Sequence, residues 1–402
     1  MVESGQGPFD WSGKRRDFSR TMFAAVALTS ILAAVAGHAS DCAALANLEL
    51  TDVHIAAAQL VPAQSDAPEF CRVQGEARPT ADSQIGFELW LPASGWNGRY
   101  YQLGNGGFAG TIHHPALAAE LRRGNAVAAT DTGHRANAFD ASWALNHPEK
   151  IVDYGYRSLQ ETSRAANELV RAYYGRPASH RYFTGCSNGG RQALMAAQRF
   201  PEEWDGILAG APALDWTRQL TTFASQPGGD VRSQLTFAEQ FFRYLVHDDP
   251  TWNLSRFDGQ RDFDLARQRR IGNQTLSQVL DATDPDLTRF ERRGKLLMYL
   301  GTVDDLISPQ AGVDYYERVV VQMGGIERTQ AFFRLFMVPG MGHCQGGAAP
   351  HAFGQAYVAP GMPDDPEHDI RRALEAWVEQ GKVPERIVEA AQVLQPYKKG
   401  EQ

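Results

Sequence analysis

Gly185, Ser187 and Gly189 spell G-x-S-x-G inside the stretch RYFTGCSNGGRQALMAAQRF, residues 181 to 200. A serine hydroxyl is a weak nucleophile, and this spacing favours its activation. A strand turns abruptly into a helix, small neighbours let the backbone turn that tightly, and the hydroxyl projects above the sheet edge. The amides that open the helix point to the same place. Negative charge developing there on a carbonyl oxygen would meet N–H donors and the positive end of the helix dipole. An apolar, aromatic run precedes the turn, and Ala193, Leu194, Ala197 and Phe200 follow at helical spacing. The chemistry implied is acyl transfer at Ser187. The plain alternative is an ordinary strand-to-helix turn, because glycine and serine are common in turns.

A serine of this kind needs a histidine to take its proton and a carboxylate to orient the imidazole, in the chain order serine, acid, histidine. After the turn, an acid follows directly on the apolar strand KLLMYL in GTVDDLISP. The next strand, residues 332 to 338, leads into PGMGHCQGG, which makes His343 the base. Asp304 and Asp305 both follow the strand, and neighbouring side chains in extended backbone point apart, so one of them faces the imidazole while the other is solvated or caps the next helix. His113, His114, His134 and His247 read as surface or structural histidines.

Several elements must position these groups. Ile85 to Leu91, IGFELWL, and Arg99 to Leu103 read as strands joined by the turn SGWNG, an antiparallel start. The loop GNGGFAG, Gly104 to Gly110, follows; in hydrolases built this way such a loop supplies a second oxyanion amide, with Gly106 and Gly107 as the candidates. A helix at 117–123, a strand at 125–131 and a long helix at 154–174 lead to the serine turn, and a strand at 204–210 follows it. This alternation indicates a mostly parallel sheet flanked by helices. Residues 214–293 interrupt it and are too long for a simple connection, so they read as a lid whose aromatic residues form chiefly its own small core. Residues 41 to 79, interrupted by prolines, read as a cap. The resulting division is 1–39 export signal, 40–213 first part of the core, 214–293 lid, and 294–402 second part of the core.

The 402 residues, 43% of them apolar, suffice for one large α/β domain with an insertion. A net charge of -8 without a basic run argues against nucleic acid. Lys14, Arg15 and Arg16 precede an apolar run from Met22 to Ala36, followed by small residues, in the pattern of an export signal; the paired arginines before Asp17 and Phe18 suggest the twin-arginine type. The run is short of the roughly twenty residues that span a bilayer, so a soluble periplasmic or secreted protein without a stable membrane span is expected. Cys42, Cys71, Cys186 and Cys344 permit three pairings. The preferred one joins Cys42 to Cys71 and Cys186 to Cys344, because the second bridge would tie the residue before Ser187 to the residue after His343; four buried thiols are the alternative.

These segments resemble the tannase and feruloyl esterase family. The likeness covers nearly all of the chain after the signal and is carried by FCRVQG around Cys71, WNGRYYQLGNGGFAG, GCSNGGRQALMAAQRFPEEWDGILAGAPA, GKLLMYLGTVDDLISP and FFRLFMVPGMGHCQGG. The resemblance implies an α/β-hydrolase fold with Ser187 as nucleophile, Asp304 as acid and His343 as base. It also implies oxyanion amides at Asn188 and the Gly106–Gly107 turn, and a bridge between Cys186 and Cys344. Many members have a larger lid with an aspartate-rich calcium loop; no D-x-x-D-G pattern occurs here, and the acidic stretch 258–264 lacks the ligand spacing, so no cofactor is expected.

The function expected is that of an exported serine esterase acting on small carboxylic esters of phenolic or other aromatic acids through an acyl-enzyme. An esterase or acyltransferase on nonaromatic esters is the first alternative, and a non-catalytic exported binding protein the second.

Overall fold

The computed structural model describes residues 41–348, 351–355, 362–389 and 392–399; the expected export signal, residues 1–39, lies outside them. Nine strands form one sheet: β1 (Val53–Val61), β2 (Phe70–Ala77), β3 (Ile85–Pro92), β4 (Arg99–Leu103), β5 (Ala126–Thr130), β6 (His180–Cys186), β7 (Gly206–Gly210), β8 (Lys295–Gly301) and β9 (Phe333–Val338). Their spatial order is β1-β2-β3-β5-β4-β6-β7-β8-β9. From β1 to β5 the neighbours are antiparallel, and from β5 to β9 they are parallel. In the parallel half, all carboxyl ends therefore leave one edge of the sheet, where ligands of open α/β sheets are bound.

The helices lie on both faces. Those carrying apolar residues into one core with Leu89, Ala128, Phe183, Ile207 and Met298 are α2 (Ser158–Tyr174), α3 (Asn188–Arg199) and α6 (Pro309–Gln322). On the other face α1 (His114–Arg122) and α7 (Ile370–Gln380) pack against Tyr101, Val127, Tyr182, Leu208 and Leu297. The two sets alternate along the strands, as the two-residue repeat of a strand requires. Burial on both sides explains why KLLMYL reads as a continuous apolar run. Helix α7 starts at Asp369, whose carboxylate accepts from the Arg371 and Arg372 amides, and stops at Gly381 in left-handed conformation.

Residues 214–293 leave the sheet after β7 and return to β8. Their helices include α4 (Trp216–Ser225) and α5 (Val231–Gln240), which share a separate core with Phe241, Phe242, Leu245 and Trp252. The segment closes at its base, where the Ala282 amide donates to Leu214 O at 2.7 Å and Asp281 accepts from the Thr217 amide at 2.9 Å.

Three local readings are corrected. Residues 41–79 are not a cap: after one 3-10 turn they supply β1 and β2, the edge of the sheet. The alanines of VHIAAAQLV blur the alternation that would have marked a strand. Strands β3 and β4 do not pair, because β5 enters between β3 and β4. The helix expected from about Tyr154 starts earlier, at Pro148, and passes through a π-helical turn at Asp153–Arg157 before continuing from Ser158.

Candidate active site

The serine sits at the end of β6, opposite Gly210 of β7. Ser187 holds φ 65° and ψ -124°, a left-handed backbone that is costly for a residue with a side chain and is kept only where its surroundings enforce it. They do so here with three main-chain bonds. The Ser187 amide donates to Gly210 O at 3.0 Å, and Ser187 O accepts from Arg191 at 3.0 Å and Ala213 at 3.1 Å. Gly185 is required by close approach, since a Cβ there would lie 2.6 Å from the Gly189 carbonyl carbon.

The expected acid and base leave the next parallel strands. Asp304 follows β8 and His343 follows β9, and His343 Nδ1 lies 2.9 Å from Asp304 Oδ2. The other oxygen of Asp304 accepts the Leu306 and Ile307 amides at 2.9 and 2.8 Å. The carboxylate is therefore fixed from both sides, and its side chain is 1% exposed against 22% for His343. Asp305 is exposed. Its carbonyl accepts from Gln234 Nε2 at 2.9 Å, while Gln219 Nε2 donates to Leu306 O at 3.1 Å. Two glutamines of the 214–293 segment thus brace the acid loop.

The pairing Cys186–Cys344 is present, with Cα atoms 5.9 Å apart. It joins the residue before Ser187 to the residue after His343. Cys42–Cys71 is the second bridge, at the far edge of the sheet, and no cysteine among the described residues is free.

In the loop Gly104–Gly110, five amides have acceptors: Gly104 to Thr184 O, Asn105 to Gln192 Oε1, Phe108 to Ala138 O, Ala109 to Gly106 O and Gly110 to Asp131 O. The amides of Gly106 and Gly107 have none among the described residues, and neither does the Asn188 amide that opens α3. Unpaired donors of this kind can receive an anion. Gly107 is required as glycine, because its φ is 54° and a Cβ would fall 2.2 Å from Ala138 O.

The loop's apolar neighbours are aromatic. Phe108 lies 5.6 Å from Phe237 and 5.9 Å from Trp216, and half-exposed Phe139 stacks on Phe237 at 4.6 Å. A separate cleft of about 730 Å³, lined by Leu214, Arg218, Phe223, Leu306 and Arg318 among others, reaches Asp304 but neither Ser187 nor His343, so it flanks the site rather than containing it.

Three of the other histidines named from the sequence have structural partners. His134 stacks on Trp143 at 3.9 Å and bonds Phe108 O at 2.8 Å, and burial pulls its pKa down to about 4. His114 reaches Glu88 and His247 reaches Asp262. The acidic stretch 258–264 does not fit calcium: Asp258 caps the helix Gly259–Gln268, and Asp262 is bonded to Arg261. Tyr154, which the sequence did not single out, reaches the glycine loop and Asn188 from the π-helical turn. Only a break in helical periodicity could have flagged it.

Known proteins share this architecture. The sequence matches the family described as tannase and feruloyl esterase over residues 71–234 and 230–401, two segments that meet within α5 and the turn before it. An uncharacterized esterase of Xanthomonas campestris is 34% identical over 504 aligned residues, covering 92% of this chain and 88% of that protein; the alignment is longer than this chain, so that relative carries inserted segments. A probable feruloyl esterase B-2 of Aspergillus terreus is 26% identical, covering 87% of each chain. Among solved structures, feruloyl esterase B of Aspergillus oryzae superposes with a TM-score of 0.77 at 22% identity, covering 89% of this chain and 95% of that one. That likeness supports the α/β-hydrolase fold.

Proposed function

We propose, from the premise that the chain belongs to the tannase and feruloyl esterase family and is a carboxylic ester hydrolase, that it works as an exported serine esterase on esters of aromatic acids. Ser187 Oγ attacks the ester carbonyl while His343 Nε2 takes its proton, and Asp304 holds Nδ1–H so that Nε2 is the free base. The tetrahedral oxyanion is received by the amides of Asn188 and the Gly106–Gly107 turn. The imidazolium then protonates the leaving alcohol. Water, deprotonated by the same imidazole, attacks the acyl-serine and releases the acid with Ser187 restored.

The observation that carries this reading is the 2.9 Å contact between His343 and Asp304 on a loop fastened by a disulfide to the residue before Ser187. Aromatic acyl groups are favoured by the relatives named feruloyl esterase and by half-exposed Phe139, which stacks on Phe237. Export is supported by the two disulfides. No helix among the described residues is long and apolar enough to cross a membrane.

A panel of methyl ferulate, methyl gallate, chlorogenate and short aliphatic nitrophenyl esters, with Ser187→Ala as control, tests the reading. Turnover of the aromatic esters that Ser187→Ala abolishes is expected. Turnover of aliphatic esters alone would replace the aromatic assignment, and no hydrolysis of any ester by the oxidised protein would favour a binding role.

A further inference from the structure

The amides proposed to receive the oxyanion come from two segments, the start of α3 and the loop after β4. Their spacing matters more than their presence, since donors stabilise a developing charge only if they already stand where it will form. A chain of side-chain bonds couples the two segments. Asn188 Nδ2 donates to Asn105 O at 3.0 Å. Asn105 is held by Gln192, its amide donating to Oε1 at 3.0 Å and its Oδ1 accepting from Nε2 at 2.8 Å, and its own Nδ2 donates to Thr130 O at 2.8 Å.

One hydroxyl touches both segments. Tyr154 OH lies 3.0 Å from Gly107 O and 3.1 Å from Asn188 Oδ1, so its single proton serves both acceptors. On the loop side, the peptide after Gly107 is gripped at both ends, its carbonyl by Tyr154 and its N–H by Ala138 O at 2.7 Å. That fixes the turn carrying the two unpaired amides. On the helix side, the Asn188 carboxamide is locked by Asn105, by Tyr154 and by Arg191 Nε at 2.8 Å.

Tyr154 is itself presented by the π-helical turn Asp153–Arg157. Such turns displace carbonyls from the α-helical ladder and recur at functional sites. Here the carbonyls of Tyr154 and Gly155 accept Arg191 Nη2 at 3.2 Å and Nη1 at 3.0 Å, and Leu280 O takes the same Nη1 at 2.9 Å. Arg191 also lies 4.9 Å from the Tyr154 ring. Both side chains are fully buried. Burial also pushes the phenol up to about 12, which keeps it a donor across the working pH range.

We propose that Tyr154 is a positioning residue for ester hydrolysis, its hydroxyl setting the distance between the Asn188 amide and the Gly106–Gly107 turn. This rests on the reading that those amides receive the oxyanion. Tyr154 touches no reacting atom and acts through the two segments it joins.

Tyr154→Phe, Asn188→Ala and the double variant test it, assayed on an ester that the wild-type protein turns over. Tyr154→Phe should lower kcat by roughly 10- to 100-fold, short of the loss of an oxyanion donor itself, with KM changed by less than about twofold. Affinity for a trifluoromethyl ketone, which mimics the tetrahedral species, should fall in proportion to kcat. Asn188→Ala should show the same split, and the double variant should fall well short of the product of the two single losses, because the two changes share the Tyr154–Asn188 bond. A folded Tyr154→Phe with wild-type kcat and undiminished ketone affinity would overturn the proposal, as would effects that multiply. If Tyr154→Phe does not fold, the kcat-against-KM split in Asn188→Ala decides. Absence of ester turnover in the wild-type protein, or its survival in Ser187→Ala, would instead strike the proposed function.

Discussion

The antiparallel and parallel halves of the sheet each carry one disulfide, and the bridges do different things. In the antiparallel half, Cys42–Cys71 fastens a single 3-10 turn to β2 across a separation of 29 residues. In the parallel half, Cys186–Cys344 spans 158 residues and joins two loops that leave the same edge. On chain entropy alone the bridges should be worth about 3.6 and about 5 kcal/mol respectively. That difference is modest. What separates them is placement: the first holds a turn against β2, while the second sets where His343 stands relative to Ser187. Covalent links of similar strength can thus serve stability in one region and geometry in another.

The sharpest break in the comparison comes from the parallel half. Ser187→Ala should lower kcat by at least about 10⁴-fold with little change in melting temperature, since it removes the proposed nucleophile without disturbing the elbow. Asp304→Asn should follow at roughly 10³- to 10⁴-fold, because an amide that accepts the Leu306 and Ile307 amides through its oxygen turns its NH2 toward His343 and favours the wrong tautomer. Steady-state kinetics and thermal melts on the same preparations check both.

The two bridges then compare directly. Replacing Cys186 and Cys344 with serine together should reduce kcat by tenfold or more (~10) in protein that is still folded, because the base loop loses its tether. Replacing Cys42 and Cys71 together should cost about 2 to 5 kcal/mol of stability while leaving kcat/KM within about twofold at a temperature where the variant remains folded. Equal kinetic losses in the two double variants would erase the distinction.

The smallest effect concerns the junction between the two halves. Asp131, just after β5, accepts the Gly86 and Gly133 amides at 2.9 Å each, yet burial raises its pKa to about 7. An acid whose pKa is raised by folding binds its proton more tightly in the folded state. The folded form is therefore favoured most at low pH, and that contribution is lost as pH climbs from about 4, the unfolded value, through about 7. Asp131→Asn keeps the acceptor oxygen without the titration, so wild-type stability relative to the variant should decline between pH 4 and pH 7 and level off above. Chemical denaturation across that range checks it, and a flat difference would show that the carboxylate titrates as it does in water.

The legible parts of the molecule were those whose physics is local. The elbow was readable because G-x-S-x-G packs its requirement for small residues into one turn. The parallel strands were readable because burial on both faces writes continuous apolar runs such as KLLMYL. Adjacency to Ser187 and His343 points to the pairing Cys186–Cys344, and the family pattern separates Asp304 from Asp305. Hidden parts depend on tertiary context. The alanines of β1 alternate too weakly to announce an edge strand, and no rule of adjacent pairing reveals that β5 slots between β3 and β4. The π-helical turn was invisible because its residues fit an ordinary helix until Arg191 draws the carbonyls of Tyr154 and Gly155 aside.

The central claim is that Ser187, His343 and Asp304 act as one proton-transfer unit that passes the acyl group through Ser187. The most direct test is to quench the oxidised protein in acid during turnover of a slowly hydrolysed aryl ester and map the bound acyl group by mass spectrometry of the digest. The account predicts the added mass on Ser187 in the wild-type protein and its absence in His343→Ala. Hydrolysis that proceeds with the acyl group on another residue, or undiminished in His343→Ala, would contradict it.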